Sequence, residues 1–435
     1  MRERTKGRLE ALEEARRRGT LGVIEPIVRK PAPGWAGERI WRRRTDDWEP
    51  ALAADPSSPY VYMLTTRYGW RTACGRCPSP AIILRVSDDG GVTWGNDRFL
   101  CRCRGIRSQH DPEIEVDAAG TVHAVWMNSF NPGVAYARST DRGATWTDPV
   151  QVDVPLAWSD KPILAVSADG TDVYVAFNKS DSYLVASHDG GATFSTPVKS
   201  NSGGRYHFAG GGYVAPDGTV TFGETSYRQN STGPVRVLAI SSDDGGATWR
   251  TTVVDVMKEQ PPCRSEECPI DYYGPQAAIG GDANGHLMIA YNGAVRHRGD
   301  QRLFVRRSTD GGRTWSARTR LSPRGANAAF PAAVGAGPGD FRMWFMDERR
   351  GTGDDGWNVW YRRTADGGLT WSGALRISDA LSGTVYKRRR GFDEPYGDYG
   401  EISVTQTGAT IAVWGEGPSY LGPGGSWYNR TVPPA

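Results

Sequence analysis

This chain has almost no net charge for its size. Its 52 lysines and arginines face 49 aspartates and glutamates, leaving +3 over 435 residues, too little for the electrostatic footprint of a nucleic-acid binder. Basic runs such as Arg388-Arg389-Arg390 and Arg349-Arg350 stand beside acidic residues and read either as a loop face that meets an anionic ligand or as solvated surface. The first 20 residues have no apolar stretch. They read as a charged helix with Leu9 and Leu12 on one side, too polar for a membrane span or a secretory core. Cysteine is scarce, with 6 residues in all, so the chain is not a disulfide scaffold and must hold itself together by packing.

What the sequence does have is repetition. Six copies of Ser/Thr-x-Asp-x-Gly-x-Thr-Trp/Phe begin at Ser87, Ser139, Ser187, Ser242, Ser308 and Thr364, with steps of 52, 48, 55, 66 and 56 residues. A recurrence of that size marks a propeller or solenoid, whose units cannot bury their faces alone and must stack. Length by itself suggests about three domains, and the repeat overrides it. We expect a charged N-terminal helix or tail over 1–20 and one repeat domain over 21–435.

Each copy fits the tip of a β-hairpin. The Asp carboxylate and the hydroxyls can accept backbone N–H bonds in the turn, Gly takes positive φ, and the closing aromatic packs on a neighbouring sheet. Asp89, Asp141, Asp189, Asp244, Asp310 and Asp366 are therefore turn residues, not catalytic acids. A second recurring element, a leading strand often with Pro, a Gly turn and an aromatic-rich strand, occurs seven times, from Glu49-Pro50 to Tyr399–Val404.

The boxes resemble the Asp-box, or BNR, repeat of the sialidase superfamily of β-propellers, from about Trp48 to the C-terminus. The expected fold is all-β, a seven-bladed propeller of four-stranded antiparallel blades. The last blade lacks a box and is completed by an N-terminal strand from Gly22 to Arg29 or from Arg39 to Arg44. Such closure removes exposed sheet edges. Sialidases proper have six blades, as the resemblance implies, and six is the alternative count.

Strand alternation puts the loops between second and third strands, and those between blades, on one face, with the boxes on the other. Cys74 and Cys77 fall in one such loop and Cys101 and Cys103 in the next. Two disulfides between these arms are expected, with a four-thiolate zinc site as the alternative. Cys263 and Cys268, between Pro261-Pro262 and Pro269, read as a local disulfide loop. This even pattern and the resemblance favour an extracellular location over a cytoplasmic one.

Loops on a rigid scaffold carry function, so the candidates come from the face opposite the boxes. The resemblance implies an Arg triad clamping a carboxylate, a Tyr nucleophile activated by a Glu, and an Asp acid/base. Arg67, Arg71, Arg296, Arg298 and Arg349 are the candidates for carboxylate binding; Asp111, Glu224, Tyr227, Tyr396 and Tyr399 are those for proton transfer or nucleophilic attack. The family's Arg-Ile-Pro motif is absent, and Arg39-Ile40-Trp41 lacks the Pro. Arg205-Tyr206-His207 offers instead the residue types of a propeller-fold polysaccharide lyase, with His207 or Tyr206 to abstract the proton and Arg205 to neutralise the uronate carboxylate. His110 beside Asp111 reads as an oriented base or a packed histidine.

The expected activity is a sialidase-like glycoside hydrolase acting on an anionic glycan. A uronate-directed lyase and a non-catalytic glycan- or protein-binding propeller are the alternatives. No cofactor is expected, apart from a Ca²⁺ that Glu49, Asp111, Asp160 and Asp398 could hold. The chain reads as a monomer without a membrane span.

Overall fold

The computed structural model describes residues 2–19, 30–69, 77–131, 133–156, 158–228, 233–259, 276–349, 358–378, 387–388, 391–392, 400–416 and 424–432. One helix, Arg2–Arg17, precedes a run of antiparallel sheets. Leu12 and Ala15 bury one side of it, and Arg16 donates to the Gly69 carbonyl at 3.3 Å, next to the first blade. No described helix is long and apolar enough to cross a membrane.

Seven four-stranded sheets follow one another around an axis. Their innermost strands are Asp46–Ala54, Gln109–Val116, Asp160–Val166, Tyr206–Val214, Ala277–Gly281, Ala328–Gly335 and Glu401–Val404, which define blades 1 to 7 in that order. Blade 7 takes its outermost strand, Arg39–Ile40, from the N-terminal side, where it pairs with Gly425–Arg430. Of the two closing segments expected, this is the second; Gly22–Arg29 lies outside the described residues. The seven-blade count holds. A short hairpin, Lys387–Arg388 with Gly391–Phe392, precedes blade 7.

Sheets stack because each is apolar on both faces. Val125, Val134 and Tyr136 of blade 2 pack with Leu164, Val173 and Val175 of blade 3 in one buried cluster. Tyr174 and Ala176 of blade 3 do the same with Phe222 and Ile240 of blade 4. No blade could bury this surface alone.

The boxes are the hairpin turns between third and outer strands. In the fourth, Ser242 Oγ donates to Asp244 Oδ1 (2.7 Å) and accepts from Gly246 N (2.8 Å). Asp244 in turn accepts from Thr248 N (2.9 Å) and Oγ1 (2.5 Å). The bonds from Thr248, then Ser242, hold the Asp244 carboxyl down at about 2. Gly is required in the turn: at Gly191, φ is +84° and a Cβ would stand 2.2 Å from the Tyr136 ring. Every box carboxylate is consumed locally, as the sequence implied.

The cysteines need a correction. Cys101 is bonded to Cys103, with Cα atoms 5.1 Å apart, rather than to Cys74 or Cys77. Cys103 adopts a left-handed φ of +28°, and that reversal folds the Cys-x-Cys back on itself. The four-thiolate zinc alternative falls with it. Cys77 is also disulfide-bonded; Cys74, Cys263 and Cys268 lie outside the described residues.

Candidate functional site at the channel mouth

The innermost strands share a local device. Their ladders slip between Trp48 and Ala51, His110 and Glu113, Asp160 and Ile163, Ala209 and Gly212, and Ala329 and Ala332. Four of these bulges are X-Pro pairs, and X is left-handed each time: Glu49 (φ +52°), Asp111 (+49°), Lys161 (+47°) and Phe330 (+48°). Proline has no N–H for the ladder, so the strand gives up a pairing there, and a bulge re-aims the side chain beside it. Each such residue costs of order 1–3 kcal/mol in backbone strain. Repetition at equivalent points makes a ring at the end of the channel opposite the boxes.

The channel below encloses about 240 Å³. Its two walls differ. On the side of blades 4 to 6 the backbones touch: a Cβ on Gly210 would lie 1.8 Å from the Ala277 carbonyl, and one on Gly335 1.8 Å from that of Gly281. On the side of blades 7, 2 and 3 the lining is ionisable, with Glu401, Glu113, Glu115 and Lys161. Glu113 and Glu401 bring their carboxyl groups together, and Glu401 Oε2 accepts the Leu52 N–H of blade 1 at 2.5 Å. Burial pushes both carboxyls up, the charge of Glu113 adding to the rise of Glu401. Glu115 is wetted by the channel but walled in on its other sides; burial, then the Glu113 charge, pushes it up to about 8. Sequence reasoning missed these acids. The signal was Glu113-Ile114-Glu115, two like residues at strand period on a channel-facing strand.

At the mouth, Tyr206 Oη donates to Asp160 Oδ2 at 3.4 Å, joining blades 3 and 4. Its ring stacks on Tyr227 with centroids 6.3 Å apart. Next to Asp160, the Lys161 ammonium lies 5.0 Å from the Phe208 ring centroid. His207 faces the other way, because neighbouring residues in a strand point to opposite sides. Its Nδ1 is 3.1 Å from Glu224 Oε2, and Ser182 Oγ donates to Oε1 of the same carboxyl. Glu224 is thus tied to a histidine and a serine in the crevice between blades 3 and 4. Tyr227, nearly fully buried, instead meets Thr225 Oγ1 at 3.2 Å.

The candidate arginines do not assemble into a clamp among the described residues. Arg67 is fully buried, with Nε and Nη2 on Asp47 (2.5 and 2.9 Å) and Nη1 on Asp97 (2.5 Å). Arg349 bonds Asp347 and stacks 3.9 Å from the Trp360 ring. Arg205 donates to Ser226 Oγ and to the carbonyls of Ser226 and Pro234, pinning a loop of blade 4. Arg296 and Arg298 are exposed, Arg298 pairing with Glu259 at 3.0 Å. Asp111 and His110 are buried at the ring, His110 against Tyr68 and Phe130. Arg71, Tyr396, Tyr399 and Asp398 lie outside the described residues. Among those described, no group of three or more His, Cys, Asp or Glu side chains stands close enough to hold a metal ion.

The family model for the BNR/Asp-box repeat matches residues 306–317, the fifth box. With six such boxes on seven closed blades, the assignment follows. The chain is a BNR/Asp-box β-propeller. No curated protein sequence matches this propeller. Solved structures do. A protein of unknown function from Dyadobacter fermentans is 14% identical, with 92% of this chain and 100% of that one covered and a TM-score of 0.52. A polysaccharide lyase of family PL25, an ulvan lyase, is 13% identical over 91% of this propeller and 95% of its own chain, also at 0.52. The Hadza microbial sialidase Hz136 is 16% identical over 81% and 73%, with a TM-score of 0.45. At such identities the likeness is one of fold.

Proposed function

We propose that this propeller cleaves an acidic glycan at the channel mouth by β-elimination, with Tyr206 moving the proton. The observation that carries the reading is the contact between the Tyr206 hydroxyl and Asp160, with Lys161 next in the chain. Asp160 draws the phenol proton, and the phenol oxygen takes the proton from the carbon beside the uronate carboxylate. The electrons of that C–H bond form the new C=C bond as the glycosidic C–O bond breaks, and Tyr206 returns the proton to the departing oxygen. The Lys161 ammonium, buried in the channel wall below against Phe208, adds positive potential for the carboxylate charge that grows in between. Glu224 and His207 support the blade 3 side of the site. The PL25 ulvan lyase, whose complex with -[GlcA(1-4)Rha3S]- is known, lends the substrate class plausibility. The Cys101–Cys103 bridge supports an oxidising, extracellular setting.

One observation favours a second reading. A tyrosine beside a carboxylate is also what a retaining sialidase-like hydrolase needs, with Tyr206 as nucleophile. Product analysis on a panel of uronate- and sialate-containing glycans separates the two: elimination gives an ultraviolet-absorbing unsaturated uronide, hydrolysis free sialic acid. Tyr206→Phe should lower either rate at least about a hundredfold. A panel with no turnover leaves a binding platform and overturns the enzyme reading.

A further inference from the structure

Trp158 is the only exposed aromatic among the described residues, with 56% of its surface open. It also holds a left-handed φ of +75°, a rare and strained conformation for a bulky side chain. Apolar exposure and backbone strain at one residue are two costs with no folding gain. Strain of this kind clusters at ligand sites.

The indole is not a loose flap. It stacks on Phe130, with centroids 5.2 Å apart and planes at 30°. Phe130 in turn meets His110 at 6.1 Å, and His110 meets Tyr68 at 6.1 Å. Phe130 is half-buried, and His110 and Tyr68 are each only 3% exposed. The row therefore begins in the interior of blades 1 and 2 and ends in solvent with one indole face free. Its backbone support is fixed too: Ser129 N donates to the Ser108 carbonyl at 2.8 Å, tying the Phe130 loop to the start of blade 2.

The position decides what could cover that face. Trp158 precedes Asp160 by two residues and Lys161 by three, so its Cα lies within about 7 Å of the Asp160 Cα, on the mouth side of the propeller. A flat, rigid, apolar surface beside a polar, charged mouth suits a ring with one apolar C–H face and hydroxyls at its edge. A pyranose has that form.

We propose that Trp158, supported by Phe130, is a sugar-binding subsite that stacks a pyranose ring of the glycan chain next to the unit held at Tyr206 and Asp160. The proposal rests on the glycan reading above. It adds that the substrate is a chain rather than a single terminal sugar, because the platform engages a unit that does not react.

The test uses the full chain carrying Tyr206→Phe, so that cleavage does not compete with binding, and a size series of oligouronides, from disaccharide to hexasaccharide, measured by calorimetry. Trp158→Ala should weaken hexasaccharide binding about tenfold and leave disaccharide binding unchanged, and Trp158→Phe should restore most of the loss. With Trp158 in place, the hexasaccharide should protect its indole from oxidation. Equal hexasaccharide affinity in the parent and Trp158→Ala, or no protection, overturns the platform while the glycan reading stands. Absence of saturable binding by the parent across the series and the sialate panel overturns both.

Discussion

Glu113 of blade 2 and Glu401 of blade 7 bring their carboxyl groups together across the inner strand of blade 1. Two carboxyl groups so placed disfavour double ionisation, and both are pushed up. Because Glu401 also accepts from Leu52 N, this pair ties together the three blades where the two ends of the chain close the ring.

That closure should depend on pH. Glu113, Glu401 and Glu115 all sit above the ordinary 4.5, Glu115 at about 8. Between those limits the folded chain holds more protons than the unfolded one, so stability falls as pH rises through the window and levels off above it. With a discount for channel water, Glu115 accounts for about 1–2 kcal/mol of the fall. Thermal melting from pH 5 to 8 should show the decline, and Glu401→Gln or Glu115→Gln should flatten it. Identical slopes in all three proteins would refute the argument. Below pH 4 the sign reverses, as the box carboxyls held near 2 at Asp141, Asp244 and Asp310 become protonated and lose their turns.

Arg67 should prove a framework residue. Removing it leaves Asp47 and part of Asp97 buried without their cation, so Arg67→Ala should cost about 3–5 kcal/mol. Denaturant unfolding measures the loss. A variant that keeps its stability but loses glycan affinity would restore Arg67 to the site.

The box tryptophans are half-buried, which lowers the expected cost of truncation. Trp249 packs edge-on against Tyr174 with ring centroids 6.2 Å apart, and its Nε1 has no hydrogen-bond partner. Trp249→Ala should lose about 2–3 kcal/mol, below the full value for a buried aromatic, and Trp249→Phe should be nearly neutral. A large loss in the Phe variant would reveal a role for the indole N–H.

Asp160→Asn keeps the shape of the mouth and removes the charge that draws the Tyr206 proton. Turnover should fall at least about tenfold while glycan affinity stays within twofold. Loss of affinity with an unchanged rate would make Asp160 a binding group instead.

The repeat made the architecture legible from sequence, because each box names its own turn through bonds within eight residues. Such local chemistry needs no knowledge of the rest of the chain. The X-Pro pairs at Glu49, Asp111 and Lys161 were visible for the same reason, though not that they are left-handed bulges ringing one channel. What failed to transfer was residue partnership. Arg67, Glu224 and Tyr227 stand where the sequence put them, at the mouth ends of their strands, but their partners come from other places: Asp97 for Arg67, Ser182 and His207 for Glu224. Likewise Cys101 found Cys103, two residues away, through a turn that composition does not announce. The sequence alone determined that the chain is a stack of blades and which face carries loops, since these follow from short-range patterns repeated along the chain; the choice of seven blades over six was settled by the sheets themselves. Only the tertiary structure decided which charges neutralise one another and which stay open, because that depends on distances between blades.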